Sequence, residues 1–119
     1  MNLPDRPSAE QRQLKRWYLV LYLRVYNQDD QALLGHIVDI NKQGMRLVSD
    51  HPIPVNQTFR LWVDVPRKGG SRQRIPLEVE SLWSGQDINP DFYDTGFRIL
   101  NIDMPTLLQM QLLIDEFKF

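Results

Sequence analysis

Trp17-Tyr-Leu-Val-Leu-Tyr-Leu-Arg-Val-Tyr-Asn27 decides the fold class. Trp17, Leu19, Leu21, Leu23 and Val25 fall on one face, and Tyr18, Val20, Tyr22, Arg24 and Tyr26 on the other. A period of two sustained this long is a β-strand with one apolar and one amphipathic face. Outward from it the pattern repeats. Asn27-Gln-Asp-Asp30 reads as a turn, Ala32 to Ile40 as a second strand, and Lys42-Gln-Gly44 leads into a third, Met45 to Ser49. His51-Pro-Ile-Pro54 breaks the pattern, which resumes over Thr58 to Val65. A basic loop, Pro66-Arg-Lys-Gly-Gly-Ser-Arg72, precedes a fifth strand, Ile75 to Ser84. After the polar loop Gln86 to Asp91 comes a sixth, Tyr93 to Leu100. Gly96 inside it predicts a close approach of backbones or a bend.

The tail changes period. Leu107, Met110, Ile114 and Phe117 recur at three- and four-residue steps, with Leu108 and Leu112 beside them. Asp103 suits an N-cap and Pro105 the first turn, which predicts a helix of about three turns covering the core. Six short antiparallel strands and one amphipathic helix make a mainly β protein, a small six-stranded barrel plugged or flanked by a C-terminal α-helix. Residues 1–9 hold two prolines and little apolar content, the composition of a flexible arm before a domain spanning residues 10–119.

Composition narrows the function. The 119 residues include no cysteine, which removes disulfides, thiolate metal sites and thiol nucleophiles. No apolar run reaches the roughly 18–20 residues of a membrane helix, and the N-terminus has no apolar signal-peptide core, so a cytoplasmic protein is expected. The net charge of −1 argues against binding to long nucleic acid. The charge is uneven, with seven Lys/Arg and five Asp/Glu in residues 1–48 against seven and ten in residues 49–119. That bias suits a small anion bound by the first half.

The first half also carries two polar motifs. Arg12-Gln-Leu-Lys-Arg16 sets two arginines four residues apart before the first strand. Asp39-Ile-Asn-Lys-Gln-Gly44 closes the second strand. Arginine forks match phosphate oxygens and the O6/N7 edge of guanine, and a carboxylate accepts from the N–H groups of guanine's other edge. The same residues also have simpler uses. The arginines suit a solvated basic face, and Asp, Asn and Gly are ordinary hairpin-turn residues.

With both motifs in this order, the chain resembles the PilZ domain family, bacterial receptors for cyclic di-GMP. The family pattern is R-x-x-x-R before the first strand and D/N-x-S-x-x-G between the second and third. Arg12 and Arg16 match the first; Asp39, Asn41 and Gly44 match the second, with Asn41 in place of the usual Ser. Asp39 follows Arg16 by 23 positions, about one hairpin. Trp83 near the end of the fifth strand and Gly96 in the sixth also fit. The resemblance covers roughly residues 10 to 119.

It implies a cyclic di-GMP receptor that changes conformation on binding and signals to a downstream protein. The arginines would grip phosphate or a guanine edge, and ordering of their segment would be the switch. Asp39 would accept from guanine N1–H and N2–H₂, and Gly44 would allow close backbone approach. Lys15 and Arg46 are further candidates for phosphate contact. Trp83 suits the face of a guanine or, as strand tryptophans usually do, the core.

Two other functions stay open. One is a PilZ-like adaptor that has lost nucleotide binding and acts by protein contact in motility or pilus assembly. The other is a small oligonucleotide-binding barrel. An enzyme is not expected, because no nucleophile motif, P-loop, His-rich metal cluster or apolar carboxylate pair is present. No metal site is expected either. His36 has no partner at metal spacing, and Asp87-x-Asn89-x-Asp91 departs from a calcium loop at Phe92 and Arg98.

Overall fold

The computed structural model describes residues 17–41, 43–100 and 103–117. Six strands run in order: β1 (Trp17–Asn27), β2 (Leu33–Ile40), β3 (Gly44–Ser49), β4 (Thr58–Pro66), β5 (Arg72–Gln86) and β6 (Tyr93–Leu100). One helix follows, α1 (Met104–Phe117). The strands close a barrel in the order β1-β2-β3-β6-β5-β4, every neighbour antiparallel. Closure leaves no free sheet edge, so the barrel does not invite edge-to-edge pairing with other chains.

Alternation fills the interior. Leu23 and Val25 of β1, Leu61, Val63 and Val65 of β4, and Ile75, Leu77 and Val79 of β5 are all buried. Met45 and Leu47 of β3 meet Phe97 of β6 in the same core. β5 is longer than its apolar pattern suggests, starting at Arg72 and ending at Gln86. The cause is its partner: β4 pairs continuously with it from Thr58↔Glu80 to Pro66↔Arg72. The basic loop is therefore a tight reversal, a single 3₁₀ turn at Lys68–Gly70 with Gly69 and Gly70 at φ +77° and +81°. Only glycine adopts such angles at no steric cost.

Helix α1 packs on β1 and β5. Asp103 caps it, its Oδ1 accepting from the Thr106 N–H at 2.9 Å. Hydrogen bonds from the Thr106 hydroxyl and N–H hold the Asp103 carboxyl below its ordinary pKa. The helix has 14 residues, about four turns rather than three. Met110 and Ile114 are buried as the periodicity predicts, and Leu113 joins them. Leu108 and Leu112, which the sequence sets beside that stripe, are 58% and 62% exposed. The tail has more apolar residues than one helix face can hold, so spacing alone could not choose between Leu112 and Leu113. Leu113→Ala is expected to cost about 2–5 kcal/mol and Leu112→Ala under about 0.5 kcal/mol, read from urea unfolding. Equal costs would mean that the helix is rotated from this seating.

No helix among the described residues is long and apolar enough to cross a membrane.

Candidate functional site

Two irregularities in the barrel build the site. Between β2 and β3 the pairing runs Ile37↔Leu47 and then Asp39↔Arg46, so β2 carries one extra residue, at Val38. Strict alternation would send Asp39 the same way as Ile37, into the core. The bulge turns Asp39 to the side of Arg46, while Ile37 and Ile40 both stay in the core. Between β5 and β6 the pairing runs Ser81↔Phe97 and then Trp83↔Gly96, with the extra residue at Leu82. That bulge turns Trp83 out opposite Gly96 in the same way. The intervening β3–β6 ladder is regular and pairs Arg46 with Gly96. Asp39, Arg46, Gly96 and Trp83 therefore form one row across four neighbouring strands, about 14 Å long at ordinary strand spacing.

Each member has a defined partner. Arg46 Nε lies 2.9 Å from Asp39 Oδ2, an ion pair whose N–H is not aligned for a hydrogen bond. Its Nη1 lies 3.5 Å from Oδ2 of Asp94, two residues before Gly96 on β6. Asp39 is 1% exposed and Asp94 fully buried. One guanidinium thus spans two buried carboxylates. Trp83 explains Gly96: a Cβ there would lie 2.2 Å from the indole Nε1. The close approach foreseen at this glycine is by a side chain, not a backbone. The orientation also answers the alternative for Trp83, which lies half-buried across the barrel's outer face and not in the core.

The β2–β3 turn is organised by Asn41. Its Oδ1 accepts from the N–H of Gln43 at 2.8 Å and of Gly44 at 2.9 Å. Its own N–H donates to the Gly44 carbonyl at 2.9 Å. The turn is tied to β6 by the Ile99 N–H, which donates to the Gln43 carbonyl. A cavity of about 840 Å³ opens beside the row, lined by Arg46 of the row, by Asp94 beside it and further on by His36, His51, Pro52 and Phe92.

The structure thus brings Asp39, Arg46 and Trp83 together and places Asn41 and Gly44 in the adjoining turn. Arg12, Lys15 and Arg16 lie outside the described residues. Asp94 escaped the sequence reading. Its only signal was a charge inside an otherwise uncharged strand start, Tyr93-Asp-Thr-Gly96. Asp87, Asn89 and Asp91 are used in their own loop, where Asp87 and Asn89 accept from the N–H groups of Asn89 and Asp91. Among the described residues no group of three or more His, Cys, Asp or Glu could hold a metal ion.

A family model described as the PilZ domain matches residues 10–116, a span that includes the row, the turn and both motifs. The chain belongs to the PilZ domain family. Solved PilZ-type structures share its fold. The Bacillus subtilis inhibitor of motility (MotI/DgrA) superposes with a TM-score of 0.66 at 18% identity, covering 92% of this chain. This chain spans 53% of that protein's length. The PilZ domain of CeSA from a cellulose-synthesising bacterium gives 0.59 at 14% identity, covering 86% of this chain and 96% of that one. The PilZ domain of YcgR from Escherichia coli, solved with c-di-GMP, gives 0.58 at 16% identity, covering 90% and 91%. No curated protein matches the chain.

Proposed function

We propose that this chain is a non-enzymatic receptor for cyclic di-GMP that signals to a partner protein. The observation that carries this reading is the row itself. A β-bulge takes Asp39 out of the core, where a carboxylate has no structural use, and fixes it beside Arg46. A second bulge sets an indole at the other end. A carboxylate for guanine's N–H edge and an aromatic plane for a base are what a guanine nucleotide requires.

The charges suggest a part for the segment before β1. Asp39 and Arg46 of the row and Asp94 beside it sum to −1, so this cluster alone repels a dianion. Arg12 and Arg16 supply the balance in this proposal, which makes the segment just before β1 a component of the site. Asn41 is compatible with the receptor reading. Its Oδ1 holds the turn together with two hydrogen bonds, so the exchange of Ser for Asn leaves the hairpin intact. The description of MotI as an inhibitor of motility makes a motility protein one class of partner.

Arg16→Ala and Asp39→Ala are each expected to weaken cyclic di-GMP binding by about 1–3 kcal/mol in equilibrium dialysis, the cost of a charged hydrogen bond or base contact. Parent-like binding by both variants would remove this site assignment. Residues 5–16 are expected to gain hydrogen-exchange protection when ligand is added, because ordering of that segment is the proposed switch. Unchanged exchange there would leave a receptor without this switch.

A further inference from the structure

Helix α1 is apolar on two sides. Met110, Leu113 and Ile114 are buried in the core, while Met104, Leu108 and Leu112 are each between 58% and 65% exposed. These are three of the seven large apolar side chains exposed among the described residues; the other four, Leu33, Val55, Leu82 and Ile88, are scattered over strands and loops. Single exposed apolar residues need no explanation, but a contiguous stripe does. A surface helix ordinarily turns charges outward. α1 has none in the eleven residues from Met104 to Ile114, and its acids, Asp103, Asp115 and Glu116, stand at its two ends.

The spacing of the stripe says what covers it. Met104, Leu108 and Leu112 are four residues apart, so they lie on successive turns with Leu108 at the centre. Turned end for end about Leu108, the stripe sets an apolar side chain opposite an apolar side chain at every level. That is the property of an isologous interface, in which one patch meets its own copy across a two-fold axis. The stripe also offers no charge by which a foreign partner would be selected. We infer that the chain self-associates through an antiparallel pair of α1 helices. Leu108 meets Leu108 of the partner subunit on the axis, and Met104 meets the partner's Leu112. Each copy contributes on the order of 350 Å² of apolar surface. That is less than the ~800 Å² per partner of a standard interface, so the dimer is weak and reversible. The stripe shares no residue with the row from Asp39 to Trp83, and the inference does not rest on nucleotide binding.

Sedimentation equilibrium on the full chain tests the association. The weight-average mass is expected to rise from 14.1 kDa toward twice that value as the protein is concentrated from about 10 μM to about 1 mM. Leu108→Glu sets two carboxylates on the axis and is expected to weaken association at least about tenfold, with the circular dichroism of the parent. Ile88→Glu, in the loop between β5 and β6, is expected to leave it within about twofold, because Ile88 is as exposed but lies off the stripe. Added salt is expected to tighten the pair, since acids at the helix ends approach their like across the axis. A constant monomer mass in the parent, equal effects of the two variants, or weakening by salt each overturns the inference.

The chain has no cysteine, so single-cysteine variants report the geometry directly. An equimolar mixture of Met104→Cys and Leu112→Cys is expected to give mainly the mixed disulfide on mild oxidation, and Leu108→Cys to link to itself. Met104→Cys linking to itself in preference to the mixed product would mean a parallel pair and overturn the antiparallel arrangement.

Discussion

Arg46→Ala is expected to destabilise the fold by about 3 kcal/mol or more, the cost of removing one partner from a buried ion pair. The guanidinium faces Asp39 at 2.9 Å and Asp94 at 3.5 Å, and its side chain is only 16% exposed. Its loss deprives two desolvated carboxylates of a shared cation at once. Both carboxylates have further interactions, which places the expectation near the lower end of the range for such losses. Urea unfolding at pH 7 gives the value directly. Arg46→Lys should fall between parent and alanine variant, since an ammonium keeps the charge but cannot span both acids with a planar fork. A cost of Arg46→Ala below about 0.5 kcal/mol would mean that the triad is a solvated surface cluster.

Phe97→Ala is expected to cost about 3–5 kcal/mol and roughly 10 °C or more in unfolding temperature. Phe97 is 2% exposed and meets the Phe59 ring edge-on, with centroids 6.0 Å apart and planes at 80°. It sits opposite Met45 on β3 and Ser81 on β5, and next to Gly96. The loss therefore combines a large cavity with an aromatic pair, at the strand that carries Asp94 and Gly96. Phe97→Leu, which keeps most of the volume, should cost under about 1.5 kcal/mol. If the two variants were equally destabilised, ring volume would not be what holds β6 in place.

Most of the fold was legible because burial follows a period of two. β1 and β6 have the limits their alternation implies, and the cap at Asp103 follows from a capping residue before a changed period. The row stayed hidden because a one-residue bulge leaves no mark in an apolar pattern. Val38 and Leu82 are ordinary strand residues, yet each reverses the facing of the residue after it. Asp39 looked like a turn residue and Trp83 had the core as its alternative, and the bulges make them neighbours of one outer row. The exit of β5 from the basic loop was hidden differently. Arg72, Gln73 and Arg74 have no apolar signal, and their strand is set by pairing with Pro66, Val65 and Asp64. Asp94 was missed because a lone carboxylate in a strand becomes meaningful only when Arg46 of the next strand is placed beside it.

The glycines divide in the same way. Gly96 was readable as a site of close approach, but the indole that fills the space could be named only once register was known. Gly35 gave no signal, although a Cβ there would lie 2.6 Å from the Val48 carbonyl oxygen. In both cases the neighbouring strand explains the glycine: a β3 carbonyl at Gly35 and the β5 indole at Gly96.

Calorimetric titration of the purified chain with cyclic di-GMP tests the central claim most directly. Saturable heat, with an affinity weakened by about 1–3 kcal/mol in Asp39→Ala, is the predicted result. No heat at high micromolar ligand, from protein shown to be folded, would contradict the receptor function and leave a PilZ domain that works by protein contact alone.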